Sequence, residues 1–156
     1  MDLFVRLAEV YGEYQTRIES IDGIDYFVII NPFWDENIKI SEEDGIIFFF
    51  SYQHAHFDYY GADIDKNIDC LIEYINDFLD EQLVVVEFFQ EDAAVFGGSR
   101  YLNDIDVSSG ESMLKSFAGD NITLYEHFRE QLKGSNCRCL IRGWNNVCNK
   151  DIEFVL

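Results

Sequence analysis

The chain has 156 residues, of which 48% are hydrophobic and 16% aromatic, and 30 Asp and Glu stand against 11 Lys and Arg, a formal net charge of -19. An aromatic content this high excludes an acidic disordered tail, and the charge excludes nucleic acid and anionic membrane as partners because both repel an acidic surface. One proline and no Gly/Ser-rich stretch leave no room for a linker, so one globular domain over residues 1–156 is predicted.

Leu3, Phe4, Leu7, Ala8 and Tyr11 recur at helical spacing, and Gly12 stops that helix. Two β-branched and aromatic runs follow, Tyr14 to Ile21 and Ile24 to Ile30, joined by Asp22-Gly23, the dipeptide of a tight hairpin turn. Ile38 to Ser41, a turn over Glu42 to Gly45 and a long strand from Ile46 to about Phe57 form a second predicted hairpin. The apolar start of that strand predicts burial on both faces.

Residues 64 to 81 give the clearest helix: Ile64, Ile68, Leu71, Ile72, Ile75, Phe78 and Leu79 form one stripe, and Asp63 is placed to cap it. Leu83 to Gln90 reads as a buried strand paired with Ala93 to Phe96, which Gly97-Gly98 ends. After a polar loop from Asn103 to Ser109, a short helix starts near Ser109. A second, capped by Asn121 or Thr123, carries Leu124, Tyr125, Phe128 and Leu132 and closes at Gly134. Cys137 to Gly143 and Asp151 to Leu156 are the last predicted strands. The order predicts an α+β fold, a mostly antiparallel sheet with three to four helices packed on it.

The N-terminal Met1 to Arg6 lacks the basic and apolar regions of a signal peptide, and the longest apolar run, Ile46 to Phe50, is too short to span a membrane. Cys70, Cys137, Cys139 and Cys148 are too sparse for a disulfide scaffold, so reduced thiols and a cytoplasmic location are expected. Cys137, Cys139 and Cys148 offer three thiolates to zinc, but Cys137 and Cys139 also suit small core positions on a strand.

Three short motifs carry candidate chemistry. In His54-Ala55-His56-Phe57-Asp58 the alternate residues share one face of a strand, where two imidazoles and a carboxylate are able to ligate zinc or iron. The spacing resembles the first half of the metal motif of metallo-β-lactamase-fold hydrolases, although Tyr59 stands where that motif has another histidine. Asp63-Ile64-Asp65-Lys66-Asn67 copies the first ligands of an EF-hand loop, yet Ile68 and Tyr74 occupy the positions of its glycine and bidentate glutamate. Gly97-Gly98-Ser99-Arg100 is too short for a phosphate loop, no Gly-x-Ser-x-Gly elbow is present, and no cofactor is expected.

On the outer face of the 64–81 helix, Asp65, Asp69, Glu73, Asp77 and Asp80 or Glu81 follow at spacings of three or four, with Lys66 the only cation beside them in sequence. Like charges so spaced cost a helix about 0.2–0.5 kcal/mol per pair, so the ridge points to a cationic partner. More acid lies in predicted turns at Asp35, Glu36, Glu42 to Asp44, Glu91, Asp92, Asp104 and Asp106. Phe33, Trp34, Tyr59, Tyr60, Tyr101 and Trp144, each beside a turn or polar residue, are candidate anchors for a protein interface.

In overall character this acidic, aromatic-rich chain resembles the immunity proteins that neutralise bacterial polymorphic toxins, many of which are nucleases with basic surfaces. The resemblance implies stoichiometric occlusion of a basic toxin, with Asp69, Glu73 and Asp77 meeting its Lys or Arg and Trp34, Tyr59 or Tyr60 as anchors. Two other readings stand beside it: a small metal-dependent hydrolase using His54, His56 and Asp58, and an adaptor domain for a basic protein unconnected with toxins.

Overall fold

Asp22 and Gly23 both adopt left-handed backbone angles, φ 54° and 86°, and between them they close the first hairpin, β1 (Thr16–Ile21) with β2 (Ile24–Ile29). The computed structural model that shows this describes residues 2–156, and Met1 lies outside them. The fold is α+β, and the described residues form four α-helices and two antiparallel sheets in place of the one sheet expected. The chain divides into two compact units, Met1–Leu79 and Asp80–Leu156. Composition gave no sign of this boundary, because it falls at the end of a helix with no linker to mark it.

In the first unit, α1 (Leu3–Val10) is capped by Asp2, whose carboxylate accepts from the Phe4 and Val5 amides. The strands β1, β2, β3 (Ile38–Ser41), β4 (Ile47–Phe50) and β5 (Gln53–His56) then pair in sequence order as a meander. The long strand expected from Ile46 to Phe57 is two strands. Ser51 takes a φ of 54°, the chain reverses over Ser51-Tyr52, and Phe50 pairs with Gln53. Neither residue is the glycine, asparagine or aspartate that marks a two-residue hairpin turn, so the apolar run hid the break.

Helix α2 (Ile64–Leu79) lays Ile68, Leu71, Ile75 and Phe78 in the core. Phe78 meets Phe48 and Phe50 edge-on, with ring centroids 5.7 and 4.5 Å apart, so α2 packs on the sheet face those rings share. Phe4 of α1 reaches Phe27 of the same sheet, and the Tyr11 hydroxyl bonds to the Ile72 carbonyl and Asn76 of α2.

The second unit holds the strand order β7-β6-β8-β9, formed by β6 (Leu83–Gln90), β7 (Ala93–Tyr101), β8 (Cys137–Arg142) and β9 (Lys150–Phe154). Gly97-Gly98 does not end β7, which continues to Tyr101. A Cβ on Gly98 would lie 3.4 Å from the Arg100 guanidinium and 3.7 Å from the Phe117 ring, so the glycine gives those groups room against the strand. Helices α3 (Gly110–Ala118) and α4 (Ile122–Leu132) begin at Ser109 and Asn121, whose side chains accept the Ser112 and Leu124 amides. Met113, Leu114 and Phe117 of α3 and Tyr125 and Leu132 of α4 form one core with Val84, Val86 and Phe88 of β6.

Candidate functional site

Charge is unevenly shared. Within Met1–Leu79, 17 Asp and Glu stand against 4 Lys and Arg, net -13; within Asp80–Leu156, 13 stand against 7, net -6, together the -19 of the chain. The four cations of the first unit are all in ion pairs: Arg6 with Asp65 and Asp69, Arg17 and Lys39 with Glu19, and Lys66 with Asp63. Most of the acid of this unit is therefore left to its surface.

The ridge on α2 is built differently from the sequence expectation. Lys66 does not serve it: its ammonium turns back 3.1 Å to Asp63, and each holds the other's pKa toward the charged state, Asp63 down and Lys66 up. Instead Arg6, from α1, hydrogen-bonds to Asp69 and lies 3.6 Å from Asp65, so the first two acidic steps are partly neutralised. Glu73 follows them exposed, with no ion pair among the described residues. Asp77 is half-buried, and Asp80 is exposed but lies beyond α2, which ends at Leu79. The exposed ridge is shorter than the sequence implied.

The segment leading into α2 carries Tyr59, the most exposed of the expected anchors, beside Tyr60. Tyr59 is 75% and Tyr60 53% exposed, while Phe57 beside them is buried against Tyr74. Asn67 fixes this segment to the helix. Itself buried in the first turn of α2, it accepts the Tyr60 amide through Oδ1 at 3.0 Å and donates through Nδ2 to the Gly61 carbonyl at 3.2 Å. Asp63 accepts the Lys66 amide as the expected cap. The residues that mimic a calcium loop thus start a helix and hold its leader.

The other expected anchors divide. Phe33 and Tyr101 are exposed, Trp34 is half-buried edge-on to Phe50 at 5.7 Å, and Trp144 is buried and so does not qualify as a surface anchor. Tyr52, at the β4–β5 turn, is 70% exposed and was missed because the turn itself was missed.

His54 and His56 do share a face of β5, both exposed, with ring centroids 5.1 Å apart, and Asp58 is exposed beyond the strand. Among the described residues no group of three or more His, Cys, Asp or Glu side chains is placed to hold a metal ion, so Asp58 does not complete a three-ligand centre with them. Cys137 and Cys139 are buried in the core of the second unit, as small residues on a strand. Burial pushes the Cys139 thiol up to about 12, with Glu87 and Asp151 adding to the effect.

No helix among the described residues is long and apolar enough to cross a membrane. Compared with models of protein families, with curated proteins and with solved structures, the chain matches none.

Proposed function

We propose that this chain is an acidic protein-binding module, an immunity protein that neutralises a basic, nuclease-type toxin by stoichiometric occlusion. The observation that carries the reading is the pairing of unbalanced acid with exposed aromatic surface in one unit: net -13 over Met1–Leu79, with Tyr59 and Tyr60 held at the start of the helix that bears Asp65, Asp69 and Glu73. Acid of this density speeds encounter with a cationic surface, while aromatic side chains buried on contact supply affinity. A nuclease must bind phosphates and so presents such a surface.

In this mechanism Glu73 and the partly neutralised Asp69 meet Lys or Arg of the toxin, and Tyr59 and Tyr60 enter its apolar hollows. Co-expression with the product of the adjacent gene tests the reading by scoring rescue from toxicity and co-purification in moderate salt. Rescue and a one-to-one complex are expected, with the complex weakened in Glu73→Lys and in Tyr59→Ala. The absence of both rescue and a complex would count heavily against it.

A further inference from the structure

β5 is an edge strand of the first unit's sheet, and its two histidines stand on the same face, His56 opposite Ile47 and His54 opposite Phe49. Their imidazoles are exposed, 5.1 Å apart between centroids, with ring planes 81° apart. Among the described residues neither ring is tied by a hydrogen bond, so a ring nitrogen of each is free to donate its lone pair to a metal ion. From this arrangement we propose that His54 and His56 chelate one late first-row divalent ion of the Zn(II), Ni(II), Cu(II) class, leaving its other positions open to water.

The spacing argues for the chelate quantitatively. A metal–imidazole bond of about 2.0–2.1 Å puts the ring centroid about 3.2 Å from the ion, so two rings at a tetrahedral angle have centroids about 5.2 Å apart. The observed separation of 5.1 Å lies close to this value, so the two rings have the spacing that a shared ion requires. Alternation on the strand supplies the shared face, since residues two apart project to the same side. Imidazole nitrogen selects the late transition ions over Mg(II) or Ca(II), which take oxygen ligands, and among them Cu(II) binds tightest. With two protein ligands and no carboxylate or carbonyl orienting the rings, the ion stays exchangeable. This is a binding site, distinct from the three-ligand catalytic centre that Asp58 fails to complete.

The test uses the full chain without a histidine tag, titrated with zinc, nickel and copper chlorides by calorimetry and, with zinc, by NMR of the histidine ring signals. One equivalent of metal is expected to bind, tightest for copper. The ring signals of His54 and His56 should move on adding zinc while those of His127 stay in place. His54→Gln and His56→Gln should each weaken binding at least about tenfold, since loss even of a group that only orients a ligand costs 10–100-fold, whereas His127→Gln should not. The NMR readout needs no variant and so survives a substitution that fails to fold. Still signals for His54 and His56, no saturation at one equivalent, or equal loss in His127→Gln would overturn the site.

Discussion

The Arg6 guanidinium of α1 is hydrogen-bonded to the Asp69 carboxylate of α2, and Asp65, one turn earlier, lies 3.6 Å from the same group. One cation from outside the helix thus offsets repulsion that the α2 sequence leaves uncompensated. The two acids stay well exposed, with the Asp65 side chain 72% and the Asp69 side chain 58% accessible, so the pairs are screened and their contribution is modest. Arg6→Gln should lower stability by about 0.2–1 kcal/mol at physiological salt. The loss should grow at about 0.01 M salt, where the Debye length rises to about 30 Å. Urea unfolding at the two salt concentrations checks this; a loss independent of salt would mean that packing of the arginine stem, and not its charge, matters.

Asn67 governs how the tyrosine segment meets α2. Its buried amide uses both ends, one on the Tyr60 N–H and one on the Gly61 carbonyl, so Asn67→Ala strips two backbone groups of their partner. A loss of about 1–3 kcal/mol follows where such a group stays buried. The local signature is faster hydrogen exchange at the Tyr60 amide. If the proposed function holds, toxin binding should also weaken, because Tyr59 and Tyr60 would no longer be fixed before contact.

Gly110 opens α3 directly beneath Phe154 of β9. A Cβ there would sit 2.6 Å from Phe154 Cγ and 3.0 Å from its Cβ, atoms near the backbone that cannot swing aside as a chain end would. Gly110→Ala should therefore destabilise the second unit by about 1–3 kcal/mol despite the better helix propensity of alanine. With Phe154→Ala in the same chain, which removes Cγ, Gly110→Ala should cost less than it does alone, and thermal unfolding of the single and double variants measures the coupling.

Elements with a local physical signature were legible in the sequence. Asp22-Gly23 marked its hairpin, Asp63, Ser109 and Asn121 marked their helices, and the Ile68 to Phe78 stripe marked the buried face of α2. What stayed hidden depends on partners distant in sequence. Ser51-Tyr52 reverses the chain because Phe50 and Gln53 pair across it, and Gly98 sits inside β7 because Phe117 crosses there. Arg6 and Asp69 are 63 residues apart, a separation at which helical spacing rules say nothing, so the ridge looked more exposed than it is. The candidate surface was legible as composition, and its shape was not. Acid and tyrosine were visible in order, whereas Asn67, the residue that joins them, resembled only a failed calcium ligand.

Cys139 makes stability depend on pH at the alkaline end. Its folded-state pKa, pushed up to about 12 by burial first and then by Glu87 and Asp151, lies above the value of about 8.5 for an unfolded thiol. Between those two values the folded chain keeps a proton that the unfolded chain gives up, so stability falls as pH rises through that window, and below it the thiol contributes no slope. Burial also raises the Tyr11 hydroxyl, which adds a slope of the same sign at higher pH. Cys139→Val, close in volume and without a titrating group, should leave stability at pH 7 within about 1.5 kcal/mol and flatten its decline between pH 8.5 and 11. At pH 8 the native Cys139 thiol should also resist a thiol-specific reagent until urea unfolds the chain. Denaturant midpoints across the pH series, with mass spectrometry locating the modified cysteines, decide the point: rapid native labelling of Cys139 would contradict the burial on which the slope depends.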